Sequence, residues 1–82
     1  MDRFTVELLV ANKYGVLNRV TALYAKRGYN IDSLYVHATE DSTVSRMLIT
    51  STGDDYIRVQ MVRQLRKLYD VKSVVLMSQV EV

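Results

Sequence analysis

Phe4-Thr5-Val6-Glu7-Leu8-Leu9-Val10-Ala11-Asn12-Lys13-Tyr14-Gly15-Val16-Leu17-Asn18-Arg19-Val20 changes its hydrophobic period once, at Asn12–Gly15, and that change decides the fold. Before the turn, Phe4, Val6, Leu8 and Val10 alternate with Thr5, Glu7 and Leu9. A period of two is that of a strand with one buried face. After the turn, Val16, Leu17, Val20, Leu23 and Tyr24 recur at helical spacing, with Asn18, Arg19 and Lys26 between them. Asn and Gly both favour turns, Gly because it reaches positive φ without a Cβ clash. Gly28 stands where a C-terminal cap would end the helix.

The same reading extends downstream. Tyr29 to Ala38 reads as a second strand, with Leu34, Val36 and Ala38 on one side and Ser33, Tyr35 and His37 on the other. Thr39 to Thr43 is a polar turn, and Val44 to Ser51 a third strand, so the two form a hairpin. Asp54 or Asp55 caps a second helix, in which Ile57, Met61, Leu65 and Leu68 share a face supported by Val62. Asp70 marks a turn, and Val71 to Val80 is a fourth strand. The order β-α-β-β-α-β predicts an α+β, ferredoxin-like fold, a four-stranded antiparallel sheet with two helices on one face. Residues 1–82 read as a single domain without an internal linker or repeat.

Composition narrows the chemistry. The chain has 82 residues, 49% hydrophobic and 24% charged, and a net charge of +2. That charge predicts neither a nucleic-acid nor a membrane partner. No apolar run approaches the roughly 20 residues that span a bilayer, and Met1 to Thr5 do not read as a secretory signal. There is no cysteine, which fits a reducing compartment and removes zinc ribbons and thiol nucleophiles. The single histidine, His37, has no cysteine to share a metal and no evident nucleophile to serve, so neither metal nor catalytic residues are expected. The three glycines are too far apart for a phosphate loop. An acylphosphatase-like activity on this fold would need such a loop with a paired Arg and Asn. RNA-recognition domains share the element order but stack bases on third-strand aromatics, and Val44–Ser51 has none. Leu9, Tyr35, Leu48 and one side of Val74 to Met77 leave apolar area on the helix-free face, which points to a partner subunit or second domain.

One place remains for a ligand. A helix start exposes backbone N–H groups and the positive end of the dipole, and binds carboxylates without a cationic side chain. Gly15 admits a ligand close to the backbone, Asn12 offers an amide, and Val16 and Leu17 supply an apolar wall. On residue chemistry alone, a plain strand-to-helix turn explains the same residues.

Asn12-Lys13-Tyr14-Gly15-Val16-Leu17-Asn18-Arg19-Val20 resembles the N-x-x-G-V-L-x-R-V opening of an ACT domain. Arg27-Gly28-Tyr29-Asn30-Ile31-Asp32-Ser33-Leu34 is similar to the R-G-[FY]-N-I-[DE]-S-L segment of acetolactate (acetohydroxyacid) synthase small subunits. Val44-Ser45-Arg46-Met47 and Gln64-Leu65-Arg66-Lys67-Leu68-Tyr69-Asp70-Val71 resemble that family's third strand and helix end, so the resemblance covers essentially the whole chain. It implies a cytoplasmic, non-catalytic regulatory subunit that activates a catalytic subunit and confers feedback inhibition by a branched-chain amino acid, usually valine. Thiamine diphosphate, Mg and FAD are then expected only on the catalytic subunit, and no cofactor on this chain. It also implies a homodimer of side-by-side sheets. The effector would lie at the dimer interface, with Asn12, Gly15, Val16 and Leu17 on one wall and the other chain's Asn30 and Ile31 opposite. Many family members continue into a second, C-terminal domain, and the positions of Lys13 and Tyr14 vary in charge and bulk. The alternative is a stand-alone ACT-domain sensor of another small ligand, acting on a different partner.

Overall fold

The computed structural model describes residues 2–77. Its elements are β1 (Asp2–Ala11), α1 (Val16–Lys26), β2 (Ser33–Ala38), β3 (Val44–Gly53), α2 (Asp55–Arg66) and β4 (Val71–Met77). The strands form one antiparallel sheet in the order β2-β3-β1-β4, as the element order predicts. β1 lies inside the sheet, paired from Asp2↔Gly53 to Ala11↔Val44 on one side and with β4 on the other. The β4 register slips by one residue between Leu9 and Val10, a bulge at Lys72 beside the turn into α1.

The alternation read from residues 4–10 is the packing observed. Phe4, Val6, Leu8 and Val10 are buried, together with Met47, Ile49 and Val74 from the flanking strands. Val16, Val20 and Tyr24 of α1 and Met61 and Leu65 of α2 close over them. Each such side chain contributes about 1.5–3 kcal/mol through burial. The Tyr24 phenol and the Ser51 hydroxyl face each other in this core short of hydrogen-bond geometry. Burial pushes the phenol pKa up, and Ser51 draws it back only in part.

Both helices are ended by their own residues. The Asp54 carboxylate caps α2, accepting from the Ile57 N–H at 2.9 Å. At the end of α1, Gly28 takes φ 72°, with its N–H donated to the Ala25 carbonyl and that of Tyr29 to the Tyr24 carbonyl. That pair of bonds is a Schellman motif, which uses the Gly28 anticipated as a cap.

Several boundaries are set differently from the sequence reading or lie outside the described residues. β2 begins at Ser33, not Tyr29. Tyr29 and Ile31 alternate as a strand would, yet they pack against the core as a lead-in. The Asp32 carboxylate explains why, accepting from the Asn30 amide and the Thr52 hydroxyl and so fixing a bend before the ladder. Leu68 packs on the core from beyond the end of α2, within the turn that follows. Ser78 to Val80, expected in the fourth strand, lie outside the described residues.

One close approach was not legible in the sequence. A Cβ on Gly53 would stand 2.7 Å from Ile57 Cγ2 and 2.9 Å from Ile57 Cβ, where β3 passes under the first turn of α2. We expect Gly53→Ala to cost about 1–3 kcal/mol in urea denaturation, because the branched Ile57 stem cannot swing aside. A stability equal to the parent would show that α2 shifts freely. Tyr24→Phe loses no observed hydrogen bond and is expected to keep stability within about 1 kcal/mol or raise it. A larger loss in the same titration would reveal a partner for the phenol.

Candidate effector site

The turn from β1 into α1 is built by Gly15, which takes φ 87° and ψ −9° at the helix N-cap. No side chain caps this end. The Val16 N–H reaches the Lys13 carbonyl at 3.3 Å, and the Arg19 N–H closes the first helical bond onto the Gly15 carbonyl. Among the described residues, the N–H groups of Leu17 and Asn18 have no acceptor. α1 therefore differs from α2, whose Asp54 occupies one of the equivalent donors, the Ile57 N–H. The uncapped end faces outward with its partial positive charge unneutralised, since the first turn has no acidic residue.

The side chains around the turn divide by exposure. Val16 is buried and locks the turn to the core, while Leu17 is 43% exposed and turns outward from the helix stripe. Asn12 donates its Nδ2 to the Ser42 carbonyl at 3.0 Å, which leaves Oδ1 as the free acceptor. Arg19 lies within contact of the turn, with its Nη1 3.4 Å from the position of a Cβ on Gly15. The same guanidinium pairs with Asp70, whose side chain is only 11% exposed. A concavity of about 320 Å³ adjoins the turn, lined by Ala11, Lys13, Thr43, Tyr69, Asp70 and Lys72 and by none of the six expected site residues.

Asn30 and Ile31 lie at the other end of the sheet. Ile31 packs on the core and Asn30 is exposed, its Nδ2 donated to Asp32 Oδ1 at 3.1 Å. The Thr52 hydroxyl, ahead of the Asn30 amide, holds the Asp32 carboxyl below its ordinary pKa. This asparagine, too, keeps Oδ1 free. Ala11 pairs with Val44, and Ser33 with Thr50. Those β3 positions span about 20 Å of strand at 3.3 Å per residue. A single chain thus holds Asn12, Gly15, Val16 and Leu17 together and keeps Asn30 and Ile31 apart from them.

No group of three metal-ligating side chains occurs among the described residues, and no helix among them is long and apolar enough to cross a membrane. His37 stacks on Tyr35 with ring centroids 6.1 Å apart. On the open face β3 presents Arg46, Leu48, Thr50 and Thr52, without a ring for base stacking.

The βαββαβ fold, four antiparallel strands with two helices, is that of an ACT domain. The ACT domain of a GTP pyrophosphokinase from Chlorobium tepidum superposes with a TM-score of 0.80 at 18% identity, over 98% of this chain and 90% of that one. Sequence kinship is narrower: the family described as AHAS small subunit-like ACT domain matches residues 6–73, and the chain belongs to it. It is 46% identical over 69 residues to the acetolactate synthase isozyme 3 small subunit of Escherichia coli, covering 84% of this chain and 42% of that protein. The acetolactate synthase small subunit of Thermotoga maritima superposes with a TM-score of 0.90 at 36% identity, over 98% of this chain and 50% of that one. The chain spans about half the length of the curated relatives it matches.

The turn geometry sets a stability test. Gly15→Ala and Gly28→Ala each force a Cβ onto a left-handed residue and should each cost about 1 kcal/mol. The Arg19 contact at 3.4 Å is an ordinary one, and nothing lies within 4 Å of the Gly28 position. Equal losses in urea denaturation are expected, and a much larger loss at Gly15 would show that Arg19 cannot give way.

Proposed function

We propose that this chain is a regulatory module of acetolactate synthase, acting in the cytoplasm, that binds a branched-chain amino acid between two copies of itself. The observation that carries the reading is the division of the site across the fold. One end of each chain offers free N–H groups at Leu17 and Asn18, the Asn12 Oδ1 acceptor and the exposed Leu17 side chain. The other end offers the Asn30 Oδ1 and Ile31. Between the ends runs β2, a sheet edge with Val36 49% exposed on the helix side. Antiparallel pairing of β2 with β2 of a second copy brings opposite ends of the two chains together. It also satisfies an edge that would otherwise template aggregation. The helix N–H groups then suit the carboxylate, the two asparagine oxygens the ammonium, and Leu17 with Ile31 an aliphatic side chain such as that of valine.

Regulation follows only when the effector prefers one state of the assembly with the catalytic subunit. Coupling of about 1–3 kcal/mol gives several-fold control. In this role the chain acts through binding and assembly, without a catalytic group or cofactor of its own. Thiamine diphosphate, Mg and FAD belong to the chemistry of the catalytic subunit.

Calorimetric titration with valine, leucine and isoleucine, followed by assay of the catalytic subunit with and without this chain, tests the reading. Heat of binding and stimulated activity are expected, and the absence of both would sink it. Gly15→Asp places a carboxylate where the ligand carboxylate belongs, with the Arg19 guanidinium close enough to hold it. The expected result is at least tenfold weaker effector binding with the dimer retained by ultracentrifugation. Unchanged affinity would move the site elsewhere.

A further inference from the structure

The sheet has a second free edge, β4, on the side opposite β2. Beside it, α2 and β4 enclose a groove of about 360 Å³. Its apolar part is Val59, Val62 and Leu76, and its basic part is Arg58, Arg63 and Arg66. Val59 is 52% exposed and Leu76 43%, so neither is covered within the chain. Two of the guanidiniums have partners: Arg58 pairs with Asp55, and Arg66 donates to the Val74 carbonyl at 3.3 Å. Arg63 has none among the described residues. Among the described residues no carboxylate lines the groove, although the chain's net charge is only +2.

From this charge pattern we infer that the α2–β4 groove docks an acidic segment of the partner protein, one in which Asp or Glu alternates with aliphatic side chains. The inference deepens the proposed function and rests on it, because it makes the acetolactate synthase catalytic subunit the source of that segment. Arginine forks bind carboxylates bidentately, and aliphatic side chains fill the floor between them. A lipid surface fits less well: it needs apolar side chains that protrude, and here they lie in a concavity between guanidiniums. A nucleic acid would want exposed rings beside the arginines, and among the described residues no ring lines the groove. A second copy of this chain is the occupant proposed for β2. A dimer formed there leaves one α2–β4 groove at each far end of its sheet, free to hold two partner molecules.

The test measures binding of this chain to the purified catalytic subunit by calorimetry, for the parent and for Val59→Glu and Arg63→Glu. Both side chains are exposed on α2, and glutamate is a strong helix former, so folding is expected to persist. Affinity for the catalytic subunit should fall at least tenfold in each variant, with valine binding and dimer mass unchanged. Parental binding should also weaken as salt rises from 50 to 300 mM. Parental affinity in both variants would overturn the groove while leaving the proposed function intact. Loss of the dimer in either variant would overturn it by placing the groove between copies of this chain. Failure of the parent chain to bind the catalytic subunit at all would remove the proposed function and this docking site together.

Discussion

The burial of β1 on one face and its pairing on both edges are the constraint from which the other elements take their positions. Its helix-side residues, Phe4, Val6, Leu8 and Val10, meet side chains from both helices. A one-residue slip would carry all four to the open face and put Thr5, Glu7 and Leu9 into the core. The register is therefore fixed by the cost of that exchange. Because the register is fixed, so is the point where the strand runs out. Ala11 donates to the Asp70 carbonyl and Asn12 to the Thr43 carbonyl, and the chain must turn there into α1. Gly15 supplies the left-handed residue that lets it do so.

What could be read from the sequence follows from how local the cause is. Alternation at residues 4–10 and the repeat Val16, Val20, Tyr24 are local patterns, and they gave the strand, the helix and their buried faces correctly. Tyr29 and Ile31 show the limit of pattern. They alternate as a strand would, but hydrogen bonds donated to the Asp32 carboxylate by Asn30 and by Thr52, 20 residues away, hold the segment in another shape. Gly53 shows the limit more sharply, since its need to be glycine arises from Ile57 of a packed helix. The expected site residues came from two sources. Residue chemistry singled out Asn12, Gly15, Val16 and Leu17 but favoured a plain turn as their explanation. The pairing with Asn30 and Ile31 came from the resemblance, because the distance between the two sets is a property of the sheet. Arg19 was missed as a neighbour of the turn. Its proximity depends on Asp70, 51 positions away, and no periodicity reveals that pair.

The open face refines an expectation drawn from composition. Leu9, Tyr35, Leu48 and Val75 do lie there, but a Glu7–Arg46 ion pair and a Thr5–Thr50 hydrogen bond run among them. Exposed pairs of this kind add little stability. Their effect is on wetting: a face crossed by a paired charge and paired hydroxyls tolerates water better than a continuous apolar patch. The stronger demands for a cover come from the two sheet edges. β2 has unpaired backbone and the exposed Val36 beside it. β4 has the arginine-lined groove.

The Gly15 turn and the β4 side of the sheet are not mechanically independent, and Asp70 is the reason. It sits in the turn between α2 and β4, at the end of the groove's two walls. Its carboxylate holds Arg19 at the Gly15 turn, and its carbonyl accepts the Ala11 N–H that ends β1. The candidate effector turn and the candidate docking groove thus share one short connection. Any displacement of the α1 start must either carry Asp70 along or break its ion pair. If the proposed effector binds at the N–H groups of Leu17 and Asn18, its carboxylate would add negative charge near the Arg19 guanidinium and compete with Asp70 for it. Only a state in which Arg19 can serve both anions keeps both interactions. The difference in free energy between that state and its alternative is what the proposed regulatory role would draw on to convert ligand binding at the Gly15 turn into altered docking at the α2–β4 groove.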